Sequence, residues 1–81
     1  MLSDTLSDFY EDVFAKGYKP EMLEALEADI ARYAAPPFEY TAEAIDAVRA
    51  AVEEFRKGES SGPEFLGRLY KLRVELDLGL I

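Results

Sequence analysis

Apolar residues recur at steps of three and four along most of this 81-residue chain, a spacing that favours helices. Three breaks rich in glycine and proline divide the pattern into four amphipathic segments. The chain has no cysteine, so no disulfide can hold a small fold together and hydrophobic packing must do so. Its length suits one domain over residues 1–81. The pattern predicts an all-α fold, a small antiparallel four-helix bundle built from two helical hairpins.

The first two helices are bounded by residues with strong end preferences. Asp4 or Thr5 is predicted to cap the first helix, and Gly17 to end it in the left-handed conformation. Pro20 suits the first turn of the second helix, which should stop before the pair Pro36-Pro37. The apolar stripes predicted to face the core are Leu2, Leu6, Phe9, Tyr10, Val13 and Phe14 in the first helix, and Leu23, Leu26, Ile30 and Tyr33 in the second.

The third and fourth helices have clear starts and one ambiguous end. Thr41 is a predicted cap for the third, and Ser61 with Glu64 spells a capping box for the fourth. Residues 74–81 alternate as a strand would, yet Gly79 suits a helix end, so a helix followed by an apolar tail packed into the core is favoured. The predicted stripes are Ile45, Val48, Val52 and Phe55, then Phe65, Leu69, Leu72 and Leu76; the predicted ion pairs within the last helix are Glu64–Arg68, Lys71–Glu75 and Arg73–Asp77.

Catalytic chemistry is poorly supported by this composition. Histidine and cysteine, the side chains most easily tuned as base, nucleophile or metal ligand near neutral pH, are both missing. Residues 58–62 match the Gly-x-Ser-x-Gly elbow of serine hydrolases, but that mechanism needs a preceding strand and a histidine. A carrier protein with a prosthetic arm is equally unsupported, since no serine lies in an Asp-Ser-Leu motif. The sequence predicts a protein that is not an enzyme and holds no cofactor or metal.

Acidic residues are concentrated in the first two thirds of the chain. Residues 1–54 carry thirteen acidic and four basic residues, a net charge of −9, whereas residues 55–81 carry four acidic and five basic residues, a net charge of +1. A field of one sign repels phosphate backbones and anionic membranes and attracts basic proteins. Direct binding of nucleic acid or membrane is therefore not expected. The alternative is that the net charge serves only the solubility of a small domain. Without a signal-peptide pattern or a membrane-spanning stretch, a cytoplasmic location is the expectation.

One segment resembles a known family. Residues 55–73, which include Phe55-Arg56-Lys57-Gly58 and Pro63-Glu64-Phe65, look like the helix, short loop, Glu-Phe and helix of some bacterial immunity proteins that neutralise RNA-cleaving bacteriocins. Ser60 stands where that pattern usually has an aliphatic residue. The resemblance implies an acidic helical surface that covers a basic nuclease site. Phage-encoded inhibitors of host defence complexes have similar size and charge, and composition does not separate the two.

The function hypothesis is therefore an acidic helical inhibitor, of the immunity-protein or phage anti-defence type, that blocks a basic, nucleic-acid-handling protein such as a nuclease. The alternative is a non-catalytic adaptor or subunit of a larger assembly that binds through an apolar patch. Oligomeric state is left open. The first two helices supply the predicted partner-binding acids. Tyrosine in the connectors is a candidate anchor because it is enriched among dominant interface residues, and the alternative role for these tyrosines is a ring that covers the end of the bundle. These candidates are Asp4, Asp8, Glu11, Asp12, Tyr18, Glu21, Glu24, Glu27 and Tyr40.

Overall fold

Four helices form in the computed structural model, which describes residues 1–81: α1 (Leu2–Lys16), α2 (Pro20–Tyr33), α3 (Ala42–Arg56) and α4 (Gly62–Asp77). Each helix packs closely against its neighbours in sequence, and α4 packs back onto α1. Short loops between neighbouring helices make them antiparallel. The four-helix bundle predicted from the periodicity is confirmed.

The core is a single hydrophobic cluster of 15 buried residues, to which all four helices contribute. The predicted stripe of α2 is buried in full, and so are the first three residues of the α3 and α4 stripes. Phe14 is the clear error, because its side chain is 75% exposed. It lies too far around α1 from Leu2, Leu6 and Phe9 to point into the same core. Phe55 is only half-buried at the edge of the cluster.

Helix α1 starts earlier than the capping residues predict. Met1 occupies the N-cap position without a side-chain bond, and Asp4 and Thr5 already lie within the helix. The reason is tertiary, because the backbone N–H of Leu2 donates to the hydroxyl of Tyr40 at 2.9 Å, so one of the free amides of the first turn is satisfied from outside the helix. Gly17 does end α1 at a positive φ of 81°, but its ψ of 154° is extended and not left-handed helical.

The other helix ends follow the local chemistry. Thr41 Oγ1 accepts from the N–H of Ala44 at 3.0 Å, and Ser61 and Glu64 form the reciprocal capping box. Residues 74–77 are helical, and Gly79 follows with a φ of 71°. Its N–H donates to the carbonyl of Leu76, and the N–H of Leu80 donates to that of Glu75, which is a Schellman motif.

The expected apolar tail is only partly packed. Leu78 and Leu80 are 68% and 65% exposed, and only Ile81 packs against the core cluster. Of the three ion pairs predicted within α4, Arg73–Asp77 forms at 3.2 Å. Lys71 and Glu75 make no ion pair, and Arg68 binds Glu54 of α3 instead of Glu64. Charged side chains of α4 therefore form ion pairs both within the helix and with α3.

Candidate protein-binding surface

A groove between α1 and α2 brings three aspartates together. Asp8 and Asp12 line it from α1 and Asp29 lines it from α2, while its floor includes Phe9 and Leu26. The groove has a volume of about 230 Å³, and no lysine or arginine lines it. Carboxylates around an apolar floor make a surface suited to a long cationic side chain, whose stem packs on the floor while its head meets the charges.

Two of the three aspartates that line this groove have a cationic neighbour, in each case on the same helix as the aspartate. Asp12 lies 3.9 Å from Lys16 and Asp29 lies 3.4 Å from Arg32, with all four side chains substantially exposed. Exposed pairs of this kind contribute little and are easily exchanged for another cation. Asp8, which also lines the groove, is exposed and forms no ion pair within 4 Å, so no neighbouring cation compensates its charge.

The predicted acids outside this groove are placed differently. Asp4 lies 3.5 Å from the N-terminal ammonium at the start of α1. Glu27 faces α3, where it forms a salt bridge with Arg56. The rest are exposed, line no groove and form no ion pair: Glu11, Glu21 and Glu24. The seven predicted acids are thus spread over more than one face, and only Asp8 and Asp12 share the groove.

Asp29 belongs to the groove but was not predicted as a partner-binding residue. Its signal was present in the sequence, because Met22, Ala25 and Asp29 recur at steps of three and four beside the core stripe of α2. All three line the side of α2 that faces α1. Periodicity places them on one flank of α2, but only the packing of α1 against that flank makes them part of a groove.

The two connector tyrosines have different environments. Tyr40 is half-buried, its hydroxyl accepts from Leu2, and its ring lies edge-on to that of Tyr33 at 5.6 Å. It closes one end of the bundle, the structural role that was the alternative to a partner contact. Tyr18 is 43% exposed and stands edge-on to Phe55 at a centroid distance of 5.4 Å. Tyr18 therefore remains accessible.

Polar groups meet at the same end of the bundle as Tyr40. The hydroxyl of Thr5 donates to that of Tyr33 at 3.3 Å. This hydrogen bond lowers the pKa of Tyr33 below its usual value, and the hydrogen bond with the N-terminal ammonium is the second largest cause of that lowering. Tyr33, and to a smaller extent Asp4, raises the pKa of the N-terminal ammonium of Met1. These contacts hold the start of α1 against the end of α2.

The Gly-x-Ser-x-Gly segment is the loop between α3 and α4, and helix α3 precedes it where a hydrolase has a strand. Ser61 caps α4, accepting from the N–H of Glu64 at 3.2 Å. The backbone N–H of Ser61 and, to a smaller extent, its side chain lower the pKa of the Glu64 carboxyl. The hydroxyl oxygen of Ser60 is buried and has no hydrogen-bond partner. These contacts are those of a helix-capping loop.

A second groove, between α1 and α4, is mainly apolar. It has a volume of about 490 Å³, and Phe14 and Tyr70 stand at its sides with 75% and 55% of their surface exposed. Its other lining residues are Tyr10, Val13, Gly62, Pro63, Leu66 and Gly67. The sequence stripes did not predict this surface, although Pro63, Gly67 and Tyr70 recur at steps of four and three beside the buried stripe of α4.

The structure contains neither a metal-binding cluster nor a membrane-spanning helix. No group of three or more acidic side chains is close enough together to hold a metal ion. None of the helices has the length and apolar character needed to cross a membrane. Comparisons with known protein families, with curated proteins and with solved structures found no match to this chain.

Proposed function

We propose that this chain is a non-catalytic cytoplasmic inhibitor that binds a basic, nucleic-acid-handling protein through the groove between α1 and α2. The observation that carries the proposal is the set of three aspartates, Asp8, Asp12 and Asp29, around an apolar floor with no lining cation. A lysine or arginine that normally contacts phosphate would find carboxylates in place of phosphate oxygens.

The distribution of charge supports the same partner chemistry. The net charge of −9 on residues 1–54 attracts a basic surface over a longer range than the groove itself, which speeds encounter. Glu11, Glu21 and Glu24 contribute to this field without needing a contact of their own. The resemblance of residues 55–73 to immunity proteins against RNA-cleaving bacteriocins suggests the same class of partner.

The test uses two triple variants with equal change of charge. In the groove variant, Asp8, Asp12 and Asp29 are replaced by lysine. The control replaces three acids outside every ion pair and outside this groove: Glu39, Glu59 and Glu75. Immobilised native protein captures its partner from a lysate at low salt, and the association rate of the purified partner is then measured for all three proteins.

We expect the groove variant to lose binding and the control to lose only part of the association rate. The rate for the native protein should fall steeply as salt shortens the screening length from about 10 Å at 0.1 M to about 3 Å at 1 M. One equivalent of native protein should also stop the partner from binding or cleaving nucleic acid. Equal loss in both variants, or none in the groove variant, would exclude the acidic groove.

The second candidate function is the non-catalytic adaptor or assembly subunit, and the apolar α1–α4 groove is the observation that favours it. Apolar docking responds weakly to salt, so the same titration separates the two hypotheses. A partner that remains bound at 1 M salt and is captured equally by both triple variants would establish the adaptor.

A further inference from the structure

The α1–α4 groove is flanked by aromatic side chains and floored in part by glycine. Phe14 on α1 and Tyr70 on α4 stand out from it. A Cβ atom added at Gly67 would meet no other atom within 4 Å, so the space above that glycine is open. A projecting ring and an open glycine therefore lie one helical turn apart on the same surface.

Helix α4 differs in charge from the other three helices. It carries three basic and three acidic residues, whereas residues 1–54 have a net charge of −9. A second copy of this chain is therefore repelled less at α4 than at the acidic helices α1, α2 and α3. Lys71 forms no ion pair within its own chain, and it lies seven residues from Glu64 on the same flank of the stripe.

We propose that this groove is the interface of a symmetric homodimer, with the α4 helices of two copies packed antiparallel and crossing at Gly67. Glycine at the crossing lets the two backbones approach closely. In an antiparallel pair related by a twofold axis, the same flank of each helix faces its counterpart, and residues on that flank at nearly equal distances from the crossing in opposite directions lie side by side. Tyr70 then lies against the Pro63 turn of the second copy, and Lys71 faces Glu64 of that copy, twice by symmetry. Phe14 from each α1 covers the side of the contact.

The dimer and the proposed inhibitory function use different surfaces. Asp8 and Asp12 lie on the flank of α1 that faces α2, whereas Tyr10 and Phe14 lie on the flank that faces α4. Dimerisation would therefore leave both acidic grooves accessible and present two of them in one particle. Either proposal can fail without the other, since dimerisation is measured on the protein alone.

The experiment is sedimentation velocity of the full chain between about 1 and about 200 µM, a range in which a reversible dimer changes its average mass. We expect the mass to rise from 9.1 kDa towards twice that value. Tyr70→Ser should raise the dissociation constant at least about tenfold, as loss of an aromatic interface anchor does. The matched control is Leu78→Ser, which removes a side chain of similar exposure at the C-cap just after α4, outside the groove, and should change nothing.

A charge exchange tests the antiparallel register. Lys71→Glu should weaken the dimer by placing like charges opposite each other, and Glu64→Lys in the same chain should restore it. Circular dichroism confirms that each variant is folded. The proposal is overturned if the native protein stays monomeric over the whole range, or if Tyr70→Ser and Leu78→Ser dimerise equally. Loss of partner capture by Tyr70→Ser in a monomeric native protein would assign the groove to a different protein and also overturn it.

Discussion

Phe65 is the side chain whose removal should cost the most, because it joins three helices at the centre of the core. It is 1% exposed near the start of α4. Its ring stands edge-on to that of Phe9 on α1 at a centroid distance of 5.8 Å. On its other side it stacks on Phe55 of α3 at 4.5 Å, with the ring planes only 6° apart. No other residue links α1, α3 and α4 through aromatic contacts.

The magnitude follows from burial and from the two ring pairs. Truncation of a buried phenylalanine to alanine costs about 3–5 kcal/mol, and aromatic pairs contribute about 0.5–1.5 kcal/mol each beyond their buried area. A domain of this length has a total free energy of unfolding of about 4–12 kcal/mol. Phe65→Ala should therefore remove a large part of the free energy of unfolding. Phe65→Leu keeps most of the volume but loses the ring contacts, and should cost about 1–2 kcal/mol.

Urea denaturation followed by far-ultraviolet circular dichroism measures these costs. A double-mutant cycle with Phe55→Leu should give a coupling of about 0.5–1.5 kcal/mol between the stacked rings. Glu43→Ala, on the exposed face of α3, is the control and should change the free energy of unfolding by less than about 0.5 kcal/mol. The reasoning fails if Phe65→Leu costs no more than Glu43→Ala, or if the cycle shows no coupling.

Three further predictions concern single contacts. Glu64→Gln should be less stable than the native protein at pH 7, and urea denaturation should show this difference shrinking as the pH falls below the usual carboxyl pKa. The lowered pKa of the Glu64 carboxyl makes its contribution fully present above the usual carboxyl pKa and lost as the pH falls through the lowered one. A difference that stays constant with pH would contradict this. Ser60→Ala removes a buried hydroxyl that has no hydrogen-bond partner, so the free energy of unfolding should stay within about 0.5 kcal/mol of the native value or rise above it. A decrease of more than about 1 kcal/mol would show that this hydroxyl does form a hydrogen bond. Tyr40→Phe keeps the ring but removes the hydroxyl that accepts from the Leu2 amide, so thermal unfolding should show that the free energy of unfolding falls by about 0.5–1.5 kcal/mol. An unchanged melting temperature would argue against the role of Tyr40 in capping α1.

Most of the fold could be predicted because its determinants are local. Steps of three and four in apolar residues define the buried face of each helix, and Thr41, Ser61 and Gly79 act on backbone groups within a few residues of themselves. The exposure of Phe14 is an error of helical phase within α1, whereas the wrong start of α1 has a distant cause. The start of α1 depends on Tyr40, which is 38 residues away in sequence and invisible to any capping rule.

The candidate surfaces were harder to predict for a related reason. The sequence shows which helix carries each acidic residue but not which groove that residue lines, because a groove is formed by the flanks of two helices. Glu27 and Asp29 are two residues apart, yet the first faces Arg56 of α3 and the second faces α1. Arg68 likewise forms its ion pair with Glu54 of α3 and not with Glu64 on its own helix. Which flank meets which neighbour is a property of the packed bundle.

Helix α1 is the element on which both proposed surfaces depend. Its buried residues Leu2, Leu6 and Phe9 fix its rotation about its own axis, and that rotation turns Asp8 towards α2 and Phe14 towards α4. A shift by one residue would rotate the helix by about 100° and move both surfaces together. Surface substitutions should therefore impair partner binding or dimerisation separately, whereas substitutions in the buried stripe of α1 should impair both in proportion to the stability they remove.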